Sequence, residues 1–251
     1  MATDLIRFDS VTAGYGSLMI LNGLTFSANM SEITLLIGPN GAGKSTVLKT
    51  FFGFVSPREG QILFKGESVG GKQPADLLGR GIVFVPQGRN LFPALTLWEN
   101  LELGGITLPR AERPRRMQEV LDRFPQLGQR LHSAASSLSG GEQKQLEIAR
   151  ALLLRPSVIL IDEPSIGLSP KVNQGVFRLL RDLADAGTSV LMVEQNVRSA
   201  LGVSDRVLLL EGGRLVMEGP AATFLNDPDL NRVFLGSAAK QAGTAKQNGA
   251  R

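Results

Sequence analysis

The chain has 251 residues, 43% hydrophobic and 20% charged, with 27 Lys and Arg against 23 Asp and Glu. That is enough apolar material for one globular core with a smaller lobe attached, and the absence of cysteine excludes disulfides and thiolate-held metals. A single histidine, His132, excludes a histidine cluster, so metal chemistry rests on oxygen ligands and phosphate, which points to magnesium.

Residues 1–9 carry acids and no apolar core segment, so no signal peptide is read there. No apolar run approaches the roughly 20 residues that span a bilayer, which predicts a soluble protein whose membrane role goes through partners. Ile6, Phe8 and Val11 alternate with polar neighbours and predict a strand. Residues 32–37 form a second apolar run that enters a glycine-rich stretch. After Lys44, Val47, Leu48, Phe51 and Phe52 fall at helical spacing. Strand, glycine loop and helix together open a nucleotide-binding α/β unit. Residues 82–85 predict another strand. From about Pro93 to Arg150 the chain is polar, arginine-bearing and poor in strand signals, which predicts an inserted helical lobe. Its basic group, Arg110, Arg113, Arg115 and Arg116, has no interleaved aromatic residues for base stacking and predicts a solvated helix face. Residues 158–161 and 190–193 are continuous apolar runs, suited to strands covered on both faces of a parallel sheet. Two shorter runs, 207–210 and 215–217, flank Glu211-Gly212-Gly213-Arg214, a hairpin turn. From Ser237 onward Ala, Gly, Gln, Lys and Asn predict a disordered tail.

Gly38-Pro39-Asn40-Gly41-Ala42-Gly43-Lys44-Ser45 fits the phosphate-loop pattern G-x-x-x-x-G-K-[ST] at every fixed position. Glycines let consecutive backbone N–H groups curl around an anion, and the helix starting near Lys44 adds its positive dipole end. Lys44 is expected to reach the β- and γ-phosphates and the Ser45 hydroxyl to ligate Mg²⁺, with Thr46 beside it in the cradle. Val158-Ile159-Leu160-Ile161-Asp162-Glu163 is an apolar strand ending in two acids. Such a strand delivers Asp162 to the carboxyl edge of the sheet, where open α/β folds bind ligands. Asp162 is expected to hold the metal through its water shell. Glu163, on the other side of the strand, is expected to polarise an attacking water.

Leu138-Ser139-Gly140-Gly141-Glu142-Gln143 combines a capping box, Ser139 with Glu142, and a following helix bearing Leu146, Ala149, Arg150 and Leu153. Gly140 and Gly141 leave that helix N-terminus bare, a second anion site. These residues, placed between the phosphate loop and the acidic strand, resemble the signature motif of ABC ATPases. The resemblance covers about residues 5–236. It implies an α/β P-loop NTPase core over 1–236, with a mainly parallel sheet, an N-terminal antiparallel β part and a helical lobe inserted at about 93–150, followed by the tail at 237–251. It also implies hydrolysis of ATP with Mg²⁺, coupled to transmembrane transport. Two subunits would pair head to tail, so that Ser139, Gly140 and Gly141 serve the partner's ATP. Tyr15, the only tyrosine, takes the place of the aromatic that stacks on adenine. Gln87 matches the glutamine that contacts Mg²⁺ and the attacking water and couples to the membrane subunit. Ser165-Ile166-Gly167-Leu168-Ser169 occupies the place of the loop that crosses the dimer interface.

One position departs from the family pattern. Val193-Glu194-Gln195-Asn196 puts Gln195 where most members carry a histidine against the γ-phosphate. Glutamine donates a neutral amide hydrogen bond but carries no positive charge. Two readings stand open: this subunit's own site turns over slowly, or Glu163 suffices as base and Gln195 senses the γ-phosphate. That run, with Pro86-Gln87-Gly88-Arg89 and the ending Arg232-Val233-Phe234-Leu235-Gly236, is similar to the LivF-like ATPase subunits of branched-chain amino acid importers. The likeness implies a second ATPase subunit bearing the histidine, two membrane permeases, a periplasmic solute-binding protein and no nucleic acid. It implies a place at the cytoplasmic face of the inner membrane, and leaves open urea, amides or aromatic acids as solutes. Two rival classes are a soluble ABC ATPase acting on ribosomes or DNA and a catalytically weak, nucleotide-gated regulatory subunit. The first calls for paired ATPase units, a long coiled coil or zinc-binding cysteines, none of which the sequence carries; Gln195 keeps the second open.

Overall fold

The computed structural model describes residues 4–88 and 90–226. Arg89, the ending at 232–236 and the expected tail lie outside the described residues. In chain order, β1 (Asp4–Tyr15) and β2 (Leu18–Asn29) form an antiparallel hairpin, and β3 (Ile33–Ile37) leads through the glycine loop into α1 (Lys44–Phe51). Next come β4 (Pro57–Phe64), β5 (Glu67–Ser68), α2 (Pro74–Gly79) and β6 (Ile82–Val85). Four helices follow: α3 (Leu97–Gly104), α4 (Arg113–Arg123), α5 (Pro125–Gly128) and α6 (Gly140–Leu152). The chain then runs through β7 (Val158–Asp162), α7 (Pro170–Asp185), β8 (Ser189–Val193), α8 (Val197–Leu201), β9 (Arg206–Glu211), β10 (Arg214–Pro220) and α9 (Ala221–Asn226).

A four-stranded antiparallel sheet has the order β2-β1-β4-β5, and a six-stranded sheet the order β10-β9-β3-β8-β7-β6. The larger sheet is parallel from β9 through β6, and only the expected hairpin strand β10 is antiparallel. Its central strands read as unbroken apolar runs because both faces are buried, yet their side chains still alternate. Leu36, Leu160, Leu191 and Val193 join the small sheet and α1 in one core. Leu35, Ile159, Ile161 and Met192 join the helices, including α3, α4, α6 and α7, in the other. The sheet separates two cores, and its carboxyl edge opens between them.

The small sheet grips α1 through aromatic rings. Phe8 stacks on Phe26 at 4.6 Å between centroids, and Phe51 of α1 meets both Phe8 and Phe64 at 6.0 Å. The alternation of Ile6 and Phe8 slips before Val11 because β1 bulges there. Ser10 takes φ 49° at the bulge, its N–H donating to Thr25 Oγ1 at 2.8 Å. Between β6 and β7 the arginine group is not all solvated face. Arg116 is buried, donating to Leu152 O and Leu153 O and pairing with Glu119. It binds two carbonyls at the C-terminus of α6, of which Leu152 O also accepts Arg155 N–H, and a reading of α4 alone does not show this. Arg113 likewise reaches Leu108 O and Ile106 O, while Arg110 and Arg115 stay exposed. Among the described residues no helix is long and apolar enough to cross a membrane.

Because Phe51 ties the phosphate-loop helix α1 to the small sheet, Phe51→Ala should destabilise the chain by roughly 3–5 kcal/mol. Urea unfolding of the nucleotide-free chain measures it, and a loss under about 1 kcal/mol would mean that the ring is not the bracket described.

Candidate active site

Strand ends build the site. At the end of β3 the backbone enters the loop 38–43 at Gly38, with φ 148°, where an added Cβ would stand 2.1 Å from Leu210 O. No side chain fits there, so glycine is required by the neighbouring strand β9 before any ligand is considered. Asn40 and Gly41 form the loop's outer turn, Ala42 N–H donates to Pro39 O at 3.2 Å, and Gly43 caps α1 at φ 100°. Gly213 N–H in turn donates to Ala42 O, and Asn22 of β2 binds Gly212 O and Gly213 O, so both sheets hold the loop.

Lys44 begins α1 with its ammonium folded over the loop, donating to Gly38 O at 2.8 Å and Pro39 O at 2.9 Å. Burial pushes its pKa below the ordinary lysine value, with the charges of Glu163 and Asp162 opposing the shift. The next residue, Ser45, donates its hydroxyl to Asp162 Oδ1 at 3.1 Å, and Thr46 is buried behind it. Asp162 closes β7 at 2% exposure. Burial raises its carboxyl above the usual carboxylate range; the Ser45 bond opposes this and the charge of Glu163 adds to it.

Glu163 follows at φ 47°, a left-handed conformation rare for a side chain of this size, and its N–H donates to Val193 O at 2.9 Å. Its carboxylate accepts an amide at each oxygen: Gln87 Nε2 at 2.5 Å on Oε2 and Gln195 Nε2 at 2.6 Å on Oε1. Gln87 follows β6 and Gln195 follows β8, so the strands on either side of β7 each send one amide to the acid. Asn90 is held on both sides by α6: its N–H donates to Glu147 at 2.7 Å and its carbonyl accepts from Arg150 at 2.7 Å. Sequence reading missed Glu194. It is a 2% exposed acid just past β8 that accepts from Ser165 N–H and Oγ–H and from the N–H groups of Gln195 and Asn196. Its one signal was an acid directly after an apolar run, the same signal that marks Asp162 and Glu163.

The structure thus brings Lys44, Ser45, Asp162, Glu163, Gln87 and Gln195 together. Ser139, Gly140 and Gly141 start α6, which packs in the core on the opposite face of the six-stranded sheet from α1. The expected capping box forms, with Ser139 N–H donating to Glu142 Oε2 at 2.8 Å and Arg130 bracing Glu142 Oε1 at 2.9 Å. The glycines also have a packing reason: a Cβ on Gly141 would stand 2.4 Å from Val172 Cγ1, and one on Gly140 3.0 Å from Leu168. Tyr15 is half-exposed at the end of β1.

Residues 21–166 match the ABC transporter family. Over 92% of its length the chain is 39% identical to the high-affinity branched-chain amino acid transport ATP-binding protein BraG of Pseudomonas aeruginosa, covering 100% of it. It is 36% identical to a probable branched-chain amino acid transport ATP-binding protein LivF of Archaeoglobus fulgidus, covering 92% of this chain and 99% of that one. A nucleotide-free ATP-binding cassette from an ABC transporter superposes with a TM-score of 0.83 at 27% identity, covering 92% of this chain and 98% of the other. With its phosphate loop and acidic strand joined at one sheet edge, this chain belongs to the ABC transporter family, as an ATP-binding subunit whose reaction is ATP hydrolysis.

Proposed function

We propose that this chain powers an importer of branched-chain or related amino acids, with Glu163 as the general base of its ATP hydrolysis. The observation that carries the chemistry is the Gln87–Glu163–Gln195 arrangement beside Ser45 and Asp162. Each Glu163 oxygen accepts one amide N–H, and a carboxylate has about four lone-pair sites, so capacity remains to accept a proton from water. Neutral amides orient the acid without neutralising it. Lys44 at the loop supplies the positive charge, and its two carbonyl acceptors are the kind a phosphate oxygen replaces. Tyr15 would stack on the adenine, while Ser139, Gly140 and Gly141 face the partner's ATP.

Ser45 and Asp162 fit a hard cation, because a hydroxyl and a carboxylate 3.1 Å apart are oxygen donors of the kind Mg²⁺ takes alongside retained waters. Mg²⁺ bound there with ATP supplies charge neutralisation at the β- and γ-phosphates.

Permease coupling has a matching surface. A cavity of about 300 Å³ is lined by Leu78, Phe84, Leu103, Ile106 and Leu154, with Glu147 and Arg150 also in its wall. Ile106 is 60% exposed, and Phe54 at 58% packs edge-on against Phe84 nearby. A cytoplasmic helix of a permease seated there would bear on the Glu147 and Arg150 side chains that grip Asn90, three residues beyond Gln87. The solute reading draws on the BraG and LivF relatives and is carried here by likeness. Gln195 favours a second ATPase subunit bearing histidine as partner, together with two permeases and a periplasmic binding protein. The chain then sits peripherally at the cytoplasmic face of the inner membrane.

Glu163→Gln should retain ATP binding while turnover falls at least about 100-fold, and Lys44→Ala should lose tight binding itself. Turnover by Glu163→Gln equal to wild type removes the base assignment. For transport, the complex purified from native membranes should contain the permeases and a second ATPase. Its ATPase rate should rise with its binding protein and leucine, isoleucine or valine; no response to any of the three overturns the solute reading.

Asp162→Asn should stabilise the nucleotide-free chain by about 1 kcal/mol while losing Mg²⁺-dependent ATP binding. The sign follows from the raised folded-state pKa. Protonated Asp162 costs the fold nothing extra, so the gain is absent below the ordinary carboxylate pKa of about 4 and grows as pH rises through the raised value. Thermal melts of both chains across that range measure it, and a gain that shrinks with rising pH would contradict it.

A further inference from the structure

We infer that Glu194 is a positioning residue: its buried carboxylate closes a ring that fixes the left-handed backbone and the side chain of Glu163. The inference rests on the reading of Glu163 as base. One side of the ring is covalent, running Glu163-Pro164-Ser165. The other side is hydrogen-bonded. Ser165 donates its hydroxyl to Glu194 Oε1 at 2.6 Å and its N–H to Oε2 at 3.2 Å. The same Oε1 accepts the N–H of Gln195 at 3.0 Å and that of Asn196 at 3.1 Å. The Gln195 side chain then returns to Glu163 Oε1 at 2.6 Å, and Glu163 N–H binds Val193 O.

Two costs make the ring informative. A non-glycine residue at φ 47° persists only where its surroundings over-determine it. A carboxylate at 2% exposure needs its charge answered, and the groups bonded to Glu194 are neutral N–H and O–H donors. The donors come from two segments, the loop after β7 and the turn after β8, so the acid holds those segments in register. The loop it holds is also the exposed one. Ile166 is 50% exposed, and Leu168 stands against Gly140 at the start of α6. Movement of residues 165–169 on engagement by a partner subunit would therefore reach Glu163 through Ser165, Glu194 and Gln195.

Glu194→Gln keeps one acceptor oxygen and turns the other into a donor, so either Ser165 N–H or the trio on Oε1 loses its partner. In the assembled transporter, kcat for ATP should fall about tenfold with KM within about twofold, because the phosphate loop is untouched. Ser165→Ala should lower kcat in the same direction by less, and the double variant should fall no lower than Glu194→Gln alone. Normal kcat in Glu194→Gln, additive losses, or kcat and KM changing together with a lowered Tm would overturn the inference. If Glu194→Gln does not fold, Ser165→Ala decides alone, by a reduced kcat at unchanged KM and Tm or by an unchanged kcat. Glu163→Gln in the same assay separates the two readings: hydrolysis surviving there removes the base, whereas its loss there beside normal Glu194→Gln turnover removes only the ring.

Discussion

A carboxylate held at both oxygens by neutral amides, on a backbone turned to φ 47°, is the constraint around which this site is arranged. The two amides come from the strands on either side of β7, so Glu163 keeps its place only while β6, β7 and β8 stay in register. That register is set by burial on both faces. Shifting β7 by one residue would send Ile159 and Ile161 into the core that now holds Val158 and Leu160, and the reverse. The chemistry at the edge therefore inherits its precision from apolar packing along the strand.

The same packing carries the cost of the charged groups. Lys44 and Asp162 are both buried, and burial moves each pKa toward its neutral form. Their conflict with the fold is offset by Phe51, Val47 and Leu48 beneath the loop and by the two sheets that clasp it through Gly213 and Asn22. On the function proposed here, ATP would bring new partners to groups that the fold alone holds at a loss, so strained electrostatics and rigid surroundings belong together.

What the sequence disclosed was local. The phosphate loop, the acidic end of β7, the capping box at Ser139 and the turn at 211–214 each lie within a few consecutive residues, where one spacing carries the physics. What it hid depends on partners far along the chain. Arg116 is buried because the end of α6, 36 and 37 residues away, offers carbonyls. Glu194 matters because Ser165, 29 residues before it, supplies two donors. The bulge at Ser10 needs Thr25 across the hairpin. The glycines after Ser139 were legible as a bare helix end, but their contacts with Leu168 and Val172 were not. Periodicity reports how one element faces its surroundings, and these features record which element is opposite.

Gln195 takes on a different meaning once its partner is known. Read from sequence, it is a position where positive charge is missing. In the fold, one amide N–H is given to Glu163 and the second is left for another acceptor. A histidine there would change charge near neutral pH and alter its hold on the acid as it titrated; glutamine holds the acid identically across that range. The substitution therefore separates two tasks that one histidine would combine, orienting the base and answering phosphate charge. On the function proposed here, the first stays with Gln195 and the second falls to Lys44 and a bound cation. Of the two readings that sequence leaves open, this geometry supports the one in which Glu163 suffices as base, with the difference that Gln195, expected there to sense the γ-phosphate, is bonded to Glu163 itself.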